Sequence, residues 1–152
     1  PLDGEIGHGT AAQIYSAATV IAEHPVFGTI AYGGRVEPFS SSGLKIWSKD
    51  GVYQRLHYVS KNIRFHFSLE SDGYSKDEPI ILKKDLTEIR FTLQNRFGNV
   101  HTTRLSLAGV PDGIYKLTIK NKKIEEKSKK GMVIFEIPLD QALVAPVLIK
   151  KS

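Results

Sequence analysis

The stretch that decides the fold is HPVFGTIAYGG, residues 24–34, because the sequence pattern changes across it. Apolar residues upstream of it recur at helical spacing, whereas those downstream alternate with polar residues as in β-strands. Pro25 disfavours a helical backbone at His24 and lacks the N–H group that an interior helical turn needs. A helix arriving from upstream should therefore end here, and the chain divides into residues 1–24 and residues 25–152.

Residues 1–24 are predicted to form a loop and one helix. Residues 1–10 are rich in glycine and polar residues, and Thr10 with Gln13 matches a capping box ahead of a helix over residues 11–23. Apolar residues surround most of this helix, which indicates burial on several sides. One helix cannot provide that burial alone, so we expect residues 1–24 to be the remnant of a preceding helical domain. A chain that begins at Pro1 is also expected to be a processed or excised segment.

Residues 25–152 are predicted to form a β-sandwich domain. The clearest strand is residues 63–70, in which apolar side chains occupy one face and polar side chains the other. Roughly ten short strands are spaced by about 8 to 12 residues, with no helical pattern between them. The predicted fold class is therefore mainly β, an antiparallel two-sheet β-sandwich preceded by one N-terminal helix.

Two local features of this domain are specific enough to test. Asp50-Gly51 is a strong hairpin signal, and we expect it to join a strand over residues 44–48 to a strand over residues 52–59. Residues 79–83 begin with a proline, which lacks a ladder donor, so this short segment is expected to be an edge strand.

The composition excludes several kinds of site and partner but identifies no specific function. The chain has 152 residues, of which 41% are hydrophobic and 24% charged, as is typical of a globular domain. It has no cysteine, which excludes disulfides, thiolate metal ligands and a cysteine nucleophile. No apolar run is long enough to span a membrane, and no signal peptide is recognisable. The net charge of +5 comes from a lysine-rich excess, which without interleaved aromatic residues does not favour nucleic acid as a partner.

His8 and Glu5 are the candidate substrate-binding residues of the N-terminal segment. His8 is flanked by Gly7 and Gly9, which allow the backbone to pass close to a ligand, and it precedes a predicted helix start that favours an anion. If the preceding domain is a helical barrel, loops at helix starts would form its site, and Asp3 belongs to the same loop. The alternative is a solvated loop histidine.

Trp47 is the third candidate substrate-binding residue. Aromatic faces suit the apolar sides of sugar rings, so Trp47, Tyr53 and Tyr58 could stack on a glycan if they share an exposed face. Because Trp47 alternates with Leu44 and Ile46, one of the two sets must lie inside. Burial of Trp47 in the core is the competing interpretation.

Other polar clusters are given structural interpretations. His57, His66 and His101 show no ligand-pair spacing and are expected on separate strands, so no metal site is predicted. The lysine-rich run over residues 116–130 is interpreted as a solvated hairpin edge, with contact to an anionic polymer as the alternative. No phosphate loop, nucleophile elbow or metalloprotease motif is present, so no cofactor and no catalytic residue are predicted in this chain.

Several segments, taken together, match a known domain arrangement. They are Glu23-His24-Pro25-Val26-Phe27-Gly28, Ala31-Tyr32-Gly33-Gly34, Asp50-Gly51-Val52 with Gln54-Arg55, Leu93-Gln94-Asn95-Arg96 with His101-Thr102-Thr103, and Gly109-Val110-Pro111-Asp112-Gly113-Ile114-Tyr115. In this order they resemble the C-terminal region of large carbohydrate-active proteins built from an (α/α)6 toroid followed by a β-sandwich, some of which form a family of uncharacterised function. The resemblance implies a parent glycoside hydrolase or polysaccharide lyase, exported by a bacterium. It supplies no catalytic residues.

The sequence thus leads to one functional hypothesis and two alternatives. The leading hypothesis is a non-catalytic C-terminal β-sandwich that supports the (α/α)6 catalytic domain of a larger polysaccharide-degrading enzyme, secreted or periplasmic. Its partners would be the preceding helical domain and a polysaccharide, with neither nucleic acid nor membrane. The alternatives are an independent carbohydrate-binding module and a cell-surface interaction domain. An apolar patch near residues 24–34 would favour support, and exposed aromatic side chains on one sheet would favour binding.

Overall fold

The computed structural model describes residues 18–49, 54–70, 72–75, 77–141 and 144–152. Within these ranges the chain forms fourteen β-strands and no helix, which confirms the prediction of a mainly β fold. The strands are β1 (Thr19–His24), β2 (Gly28–Tyr32), β3 (Gly34–Ser40), β4 (Gly43–Ser48), β5 (Arg55–Val59), β6 (Arg64–Leu69), β7 (Gly73–Tyr74), β8 (Ile80–Lys83), β9 (Glu88–Gln94), β10 (His101–Ala108), β11 (Ile114–Ile119), β12 (Lys122–Lys127), β13 (Met132–Leu139) and β14 (Val144–Lys151).

The strands form two sheets that share one core. The six-stranded sheet has the order β13-β10-β6-β5-β1-β2, and the eight-stranded sheet has the order β12-β11-β14-β9-β8-β4-β3, with β7 paired to β9. Neighbouring strands are antiparallel except β1 and β5, which run parallel with Val20 opposite His57. The predicted two-sheet arrangement is therefore observed, with one parallel pair in the six-stranded sheet.

Alternation of side chains builds the core between the sheets. Phe65, Phe67 and Leu69 of β6 point inward from the six-stranded sheet and are 0–2% exposed, as the pattern of residues 63–70 predicts. Phe91 of β9 meets Phe67 from the eight-stranded sheet, with ring centroids 4.9 Å apart and nearly perpendicular planes. Truncating such a buried ring to alanine costs about 3–5 kcal/mol, so Phe67 is a central contact of the sandwich.

The predicted helix over residues 11–23 is wrong in its C-terminal part. Residues 11–17 lie outside the described residues, but Thr19–His24 forms β1, inserted between β2 and β5. Thr19, Val20 and Ile21 are consecutive β-branched residues, which favour a strand. Because β1 is buried on both faces, its residues give a continuous apolar run that resembles an all-round apolar helix. The sandwich therefore begins before residue 25.

Two other local predictions are also wrong. Residues 50–53 lie outside the described residues, but β4 belongs to the eight-stranded sheet and β5 to the six-stranded sheet, so Asp50-Gly51 does not join a hairpin. The segment between them connects two sheets instead. β8 is an interior strand between β9 and β4, because its Ile80 and Leu82 fill the core and its ladder groups pair on both sides.

The chain changes sheets at Gly33, between β2 and β3. Gly33 has a φ of 70°, in the left-handed region that glycine tolerates, and a Cβ atom there would lie 2.7 Å from the carbonyl oxygen of Ala18. The Thr19 hydroxyl donates a hydrogen bond to the Gly33 carbonyl at 3.1 Å. This crossing places β2 and β3 at the same side of the sandwich, as edge strands of the two sheets.

Candidate functional site

The outer face of the eight-stranded sheet holds the only substrate-binding residue predicted within the described ranges. In β4, Leu44 and Ile46 point into the core, so Lys45 and Trp47 point to the outer face. Trp47 is half-buried there, which rejects its burial in the core. Its face is therefore the one where a sugar platform would have to be.

Trp47 is not a bare platform, because a cation covers its ring. The guanidinium carbon of Arg35, on the neighbouring edge strand β3, lies 3.8 Å from the centroid of the Trp47 ring. Lys45 places its Nζ 5.8 Å from the same centroid and 5.5 Å from the centroid of the exposed Phe39 ring. These are cation–π distances, which hold the cations over the aromatic rings.

Arg35 is also paired with a carboxylate. Its Nη1 donates to Glu37 Oε2 at 2.8 Å, and the side chains of both residues are more than half exposed. Such exposed ion pairs contribute only about 0–1 kcal/mol, so Glu37 can be exchanged for another acceptor at little cost. A cleft of about 270 Å³ lies beside this pair, lined by Gly34, Arg35, Trp47, Ser48 and Lys49.

A second and larger concavity lies on the same face of the sheet. Its volume is about 490 Å³, and it is lined by outward side chains of β8, β9, β11 and β14 together with neighbouring residues, among them Pro79, Ile81, Arg90, Thr118, Lys120 and Leu148. The pairing of β4 with β8 connects this larger concavity to Trp47. Ile46 lies opposite Ile80, so one step further along the two strands Trp47 lies opposite Pro79. Both concavities therefore belong to one surface, which we call the outer groove.

Cationic side chains line the outer groove, and carboxylates lie beside three of them. Arg35, Lys49, Arg90 and Lys120 line the two concavities together with Glu78. Arg35 is paired with Glu37, and Lys120 Nζ lies 4.0 Å from Asp140 Oδ2. Arg90 Nε donates to Glu88 Oε2 at 3.0 Å, with the Arg90 side chain exposed and the Glu88 side chain mostly buried. Sequence reasoning missed Arg35 and Lys45, although their two-residue spacing from Glu37 and Trp47 already places each pair on one face.

His57 and His66 form a side-by-side pair on the outer face of the six-stranded sheet. They are cross-strand partners on β5 and β6, and their Nδ1 atoms are 2.5 Å apart. The pKa of His57 is lowered to about 4, first by burial and then by the nearby His66 and Arg55. The pKa of His66 is also lowered, by burial and by the charge of Arg64. With both rings neutral, one Nδ1–H group donates to the other Nδ1. The expectation that their strands separate these histidines is therefore wrong for His57 and His66, because the two strands are neighbours and the two residues face each other.

His101 lies in a different network, at the start of β10. Its Nε2 lies 2.8 Å from Oδ2 of the fully buried Asp72, and its Nδ1 lies 2.9 Å from the carbonyl oxygen of Asn99. The contacts to Asn99 and to Asp72 raise the pKa of His101. Because both partners are acceptors, they favour the imidazolium, in which both ring nitrogens donate.

A third polar network lies near the end of β1. Thr29 and Tyr58 donate hydrogen bonds of 2.6 and 2.7 Å to the Glu23 carboxylate, with Lys84 Nζ 3.9 Å away. Burial alone would raise the pKa of Glu23, but these hydrogen bonds and Lys84 outweigh it and lower the pKa. This network closes the edge of the core with satisfied polar groups, which is a structural role.

Most of the other residues predicted for a substrate site lie outside the described residues. His8, Glu5 and Asp3 lie outside the described residues, as does Tyr53, whereas Tyr58 is buried. Within the described ranges, no three His, Asp or Glu side chains are grouped so that they could hold a metal ion. The same part of the chain contains no helix with the length and apolar character needed to cross a membrane.

Comparison with protein-family models, curated proteins and solved structures finds no match to this chain. The resemblance to the C-terminal region of carbohydrate-active toroid proteins therefore stays a prediction. Functional inference depends on the surface features described above.

Proposed function

We propose that this chain is a non-catalytic β-sandwich module that supports the (α/α)6 catalytic domain of a larger, secreted or periplasmic polysaccharide-degrading enzyme. The observation that supports this role is the exposure of large apolar side chains beside residues 24–34. Val26 and Phe27 are 77% and 75% exposed in the turn between β1 and β2, and Tyr32 and Phe39 are more than half exposed on β2 and β3. All four belong to the edge of the sandwich formed by the first strands of the chain.

This edge suits contact with a domain that precedes it in the chain. Exposed apolar side chains grouped at one place are typical of interaction surfaces. Among the strands of the described residues, β2 and β3 end their sheets on this side, so their outer backbone groups have no strand partner within that part of the chain. Residues 1–17 lead directly into β1, which lies next to this edge. The occupant we propose is the helical domain upstream in the same polypeptide.

The test compares Phe27→Ser with Phe97→Ser in the full-length protein. Both rings are mostly exposed in the sandwich, but Phe97 lies in the loop after β9, away from the β1–β3 edge. Phe27→Ser should lower the melting temperature of the helical domain and leave the isolated 152-residue chain unchanged within about 0.5 kcal/mol. Phe97→Ser should change neither. Equal behaviour of the two variants, or a gene that encodes no helical domain upstream, would contradict the proposal.

A second candidate function is binding of a glycan in the outer groove. It is favoured by the position of Trp47 on the outer face, next to concavities of about 270 and 490 Å³. A concave outer face suits an extended oligosaccharide, because its polar side chains bind sugar hydroxyls and its aromatic side chain adds apolar contact beside the stacked Arg35. This function is compatible with the support role where the upstream domain contacts the β1–β2 turn, because Val26 and Phe27 line neither concavity.

A further inference from the structure

We infer that the outer groove recognises an anionic oligosaccharide, one bearing carboxylate or sulfate groups, through Arg35 stacked on Trp47. This inference rests on the second candidate function and adds the chemical class of the sugar. A neutral sugar that stacks on an aromatic ring needs a free ring face. Arg35 covers one face of Trp47 at 3.8 Å, so the groove presents a guanidinium group where a neutral-sugar platform would present a bare indole.

The stacked guanidinium is prepared to bind an anion. Guanidinium groups donate two parallel hydrogen bonds to a carboxylate or a sulfate, and stacking on Trp47 fixes the plane in which these donors lie. In the structure Arg35 already binds one carboxylate, that of Glu37, at 2.8 Å. Because this pair is exposed, an acidic sugar can replace Glu37 at small cost.

Further cations extend the same preference along the groove. Lys45 lies over the Phe39 and Trp47 rings, and Lys49 lines the Trp47 cleft. Arg90 and Lys120 line the larger concavity, so a chain of sugars crossing both would pass cations at both ends. A polymer with repeated charges can contact several of these cations, whereas a single anion contacts one.

The single tryptophan makes the site directly observable. Trp47 is the only tryptophan of the chain, so a change in its fluorescence reports on the groove alone. We would titrate the protein with an oligogalacturonate, a chondroitin-sulfate oligosaccharide and cellohexaose, with a single-stranded oligonucleotide as a non-sugar polyanion. The acidic oligosaccharides should change the fluorescence and bind more weakly as salt is added. The first two probes separate a carboxylate preference from a sulfate preference.

The chain offers a matched control for the arginine. Arg104 forms the same type of exposed pair with Glu136, also at 2.8 Å, but on the six-stranded sheet. Arg35→Ala should weaken binding of the acidic oligosaccharide by about tenfold or more, and Arg104→Ala should leave it unchanged. Arg35→Lys keeps the charge but loses the planar donor pair, so its affinity should fall between those of the parent and of Arg35→Ala. Urea unfolding of each variant verifies that it folds.

Each other outcome contradicts the inference in a distinct way. Equal binding of cellohexaose and the acidic sugars would overturn the charge preference and leave the glycan-binding function standing. Equal effects of Arg35→Ala and Arg104→Ala would show general attraction to a basic protein. Binding of the oligonucleotide as tightly as the acidic sugars would identify a polyanion surface. No binding of any sugar would remove both the inference and the second candidate function.

Discussion

The His57–His66 pair and the Asp72–His101 pair shift the pKa of the same type of side chain in opposite directions. His57 and His66 face each other with lowered pKa values, so they are neutral near pH 7. His101 donates from both ring nitrogens to acceptors, and its pKa is raised. The difference shows that the partners of a histidine decide its charge: a second imidazole and burial disfavour the proton, whereas a buried carboxylate and a carbonyl oxygen retain it.

The largest expected effect comes from removing the charge of Asp72. Its side chain is fully buried, and its Oδ1 accepts a hydrogen bond from the Arg96 backbone N–H at 3.2 Å while Oδ2 contacts His101. Asp72→Asn should lower the free energy of unfolding by about 3 kcal/mol, because the charge-assisted hydrogen bond between the buried carboxylate and His101 is lost. Urea unfolding at pH 7 measures this.

Asp85→Asn is the matched control for that variant. Asp85 also accepts hydrogen bonds from a backbone N–H and a side chain, both of Thr87, but it is exposed. Its substitution should cost less than about 1 kcal/mol. If Asp72→Asn cost no more than Asp85→Asn, the buried carboxylate would not anchor His101 as described.

The second effect is a loss of stability in acid that originates in the His57–His66 pair. The pKa of His57 is about 4 in the folded chain and about 6.5 when unfolded, so the unfolded state binds more protons between these values. The stabilisation is complete above pH 6.5 and is lost as the pH falls toward 4, by about 2–3 kcal/mol for His57. His57→Gln should remove most of this loss in urea unfolding measured at pH 7, 6, 5 and 4.

His24→Gln is the control for the loss of a histidine. His24 lies outside both pairs, where its Nδ1 accepts hydrogen bonds from the backbone N–H groups of Val26 and Phe27. The acid loss that originates in His57 should remain in this variant. If His57→Gln instead left the acid loss of the parent chain unchanged, folding would not lower the pKa of His57.

The smallest effect is expected at His101, and it has the opposite sign. A raised pKa means that the folded state binds more protons, so its stabilisation is present below the unfolded value and is lost as the pH rises through the folded value. An NMR titration should place the midpoint of His101 above 6.5, and Asp72→Asn should move that midpoint down. His101→Gln should flatten the stability profile between pH 6 and 9. A His101 midpoint at or below 6.5 would show that the buried carboxylate and the Asn99 carbonyl do not raise the pKa of His101.

The two pairs also show what sequence can and cannot predict. The backbones of Ser60 and Ile63 bond each other at 3.0 and 3.4 Å around the turn at Lys61 and Asn62. Counting outward from this turn places His57 opposite His66, so a tight turn between the strands predicted over residues 52–59 and 63–70 is enough to predict their proximity. The Asp72–His101 contact joins a loop to a strand 29 residues later, and no local pattern indicates it.

The same limits apply to the fold and to the groove. Strand β6 is correctly predicted because one of its faces is in the core and the other is not, whereas β1 is misread because both of its faces are buried. Alternation predicts that Trp47 lies on the other face of the strand from Leu44 and Ile46, but it does not show which of the two faces is in the core. The stacking of Arg35 on Trp47 depends on the pairing of β3 with β4 across a short turn, and on rotamers that sequence does not specify.

The position of β1 has a mechanical consequence. This strand lies inside the six-stranded sheet, bonded to β2 on one side and, in parallel, to β5 on the other. A pull applied to the chain ahead of Ala18 acts along the axis of β1, so the hydrogen bonds to both neighbours are loaded together in shear instead of opening one after another. The sandwich can therefore resist tension from upstream without a long interface. Such a strand is a suitable tether for a domain that works on a large, moving polymer.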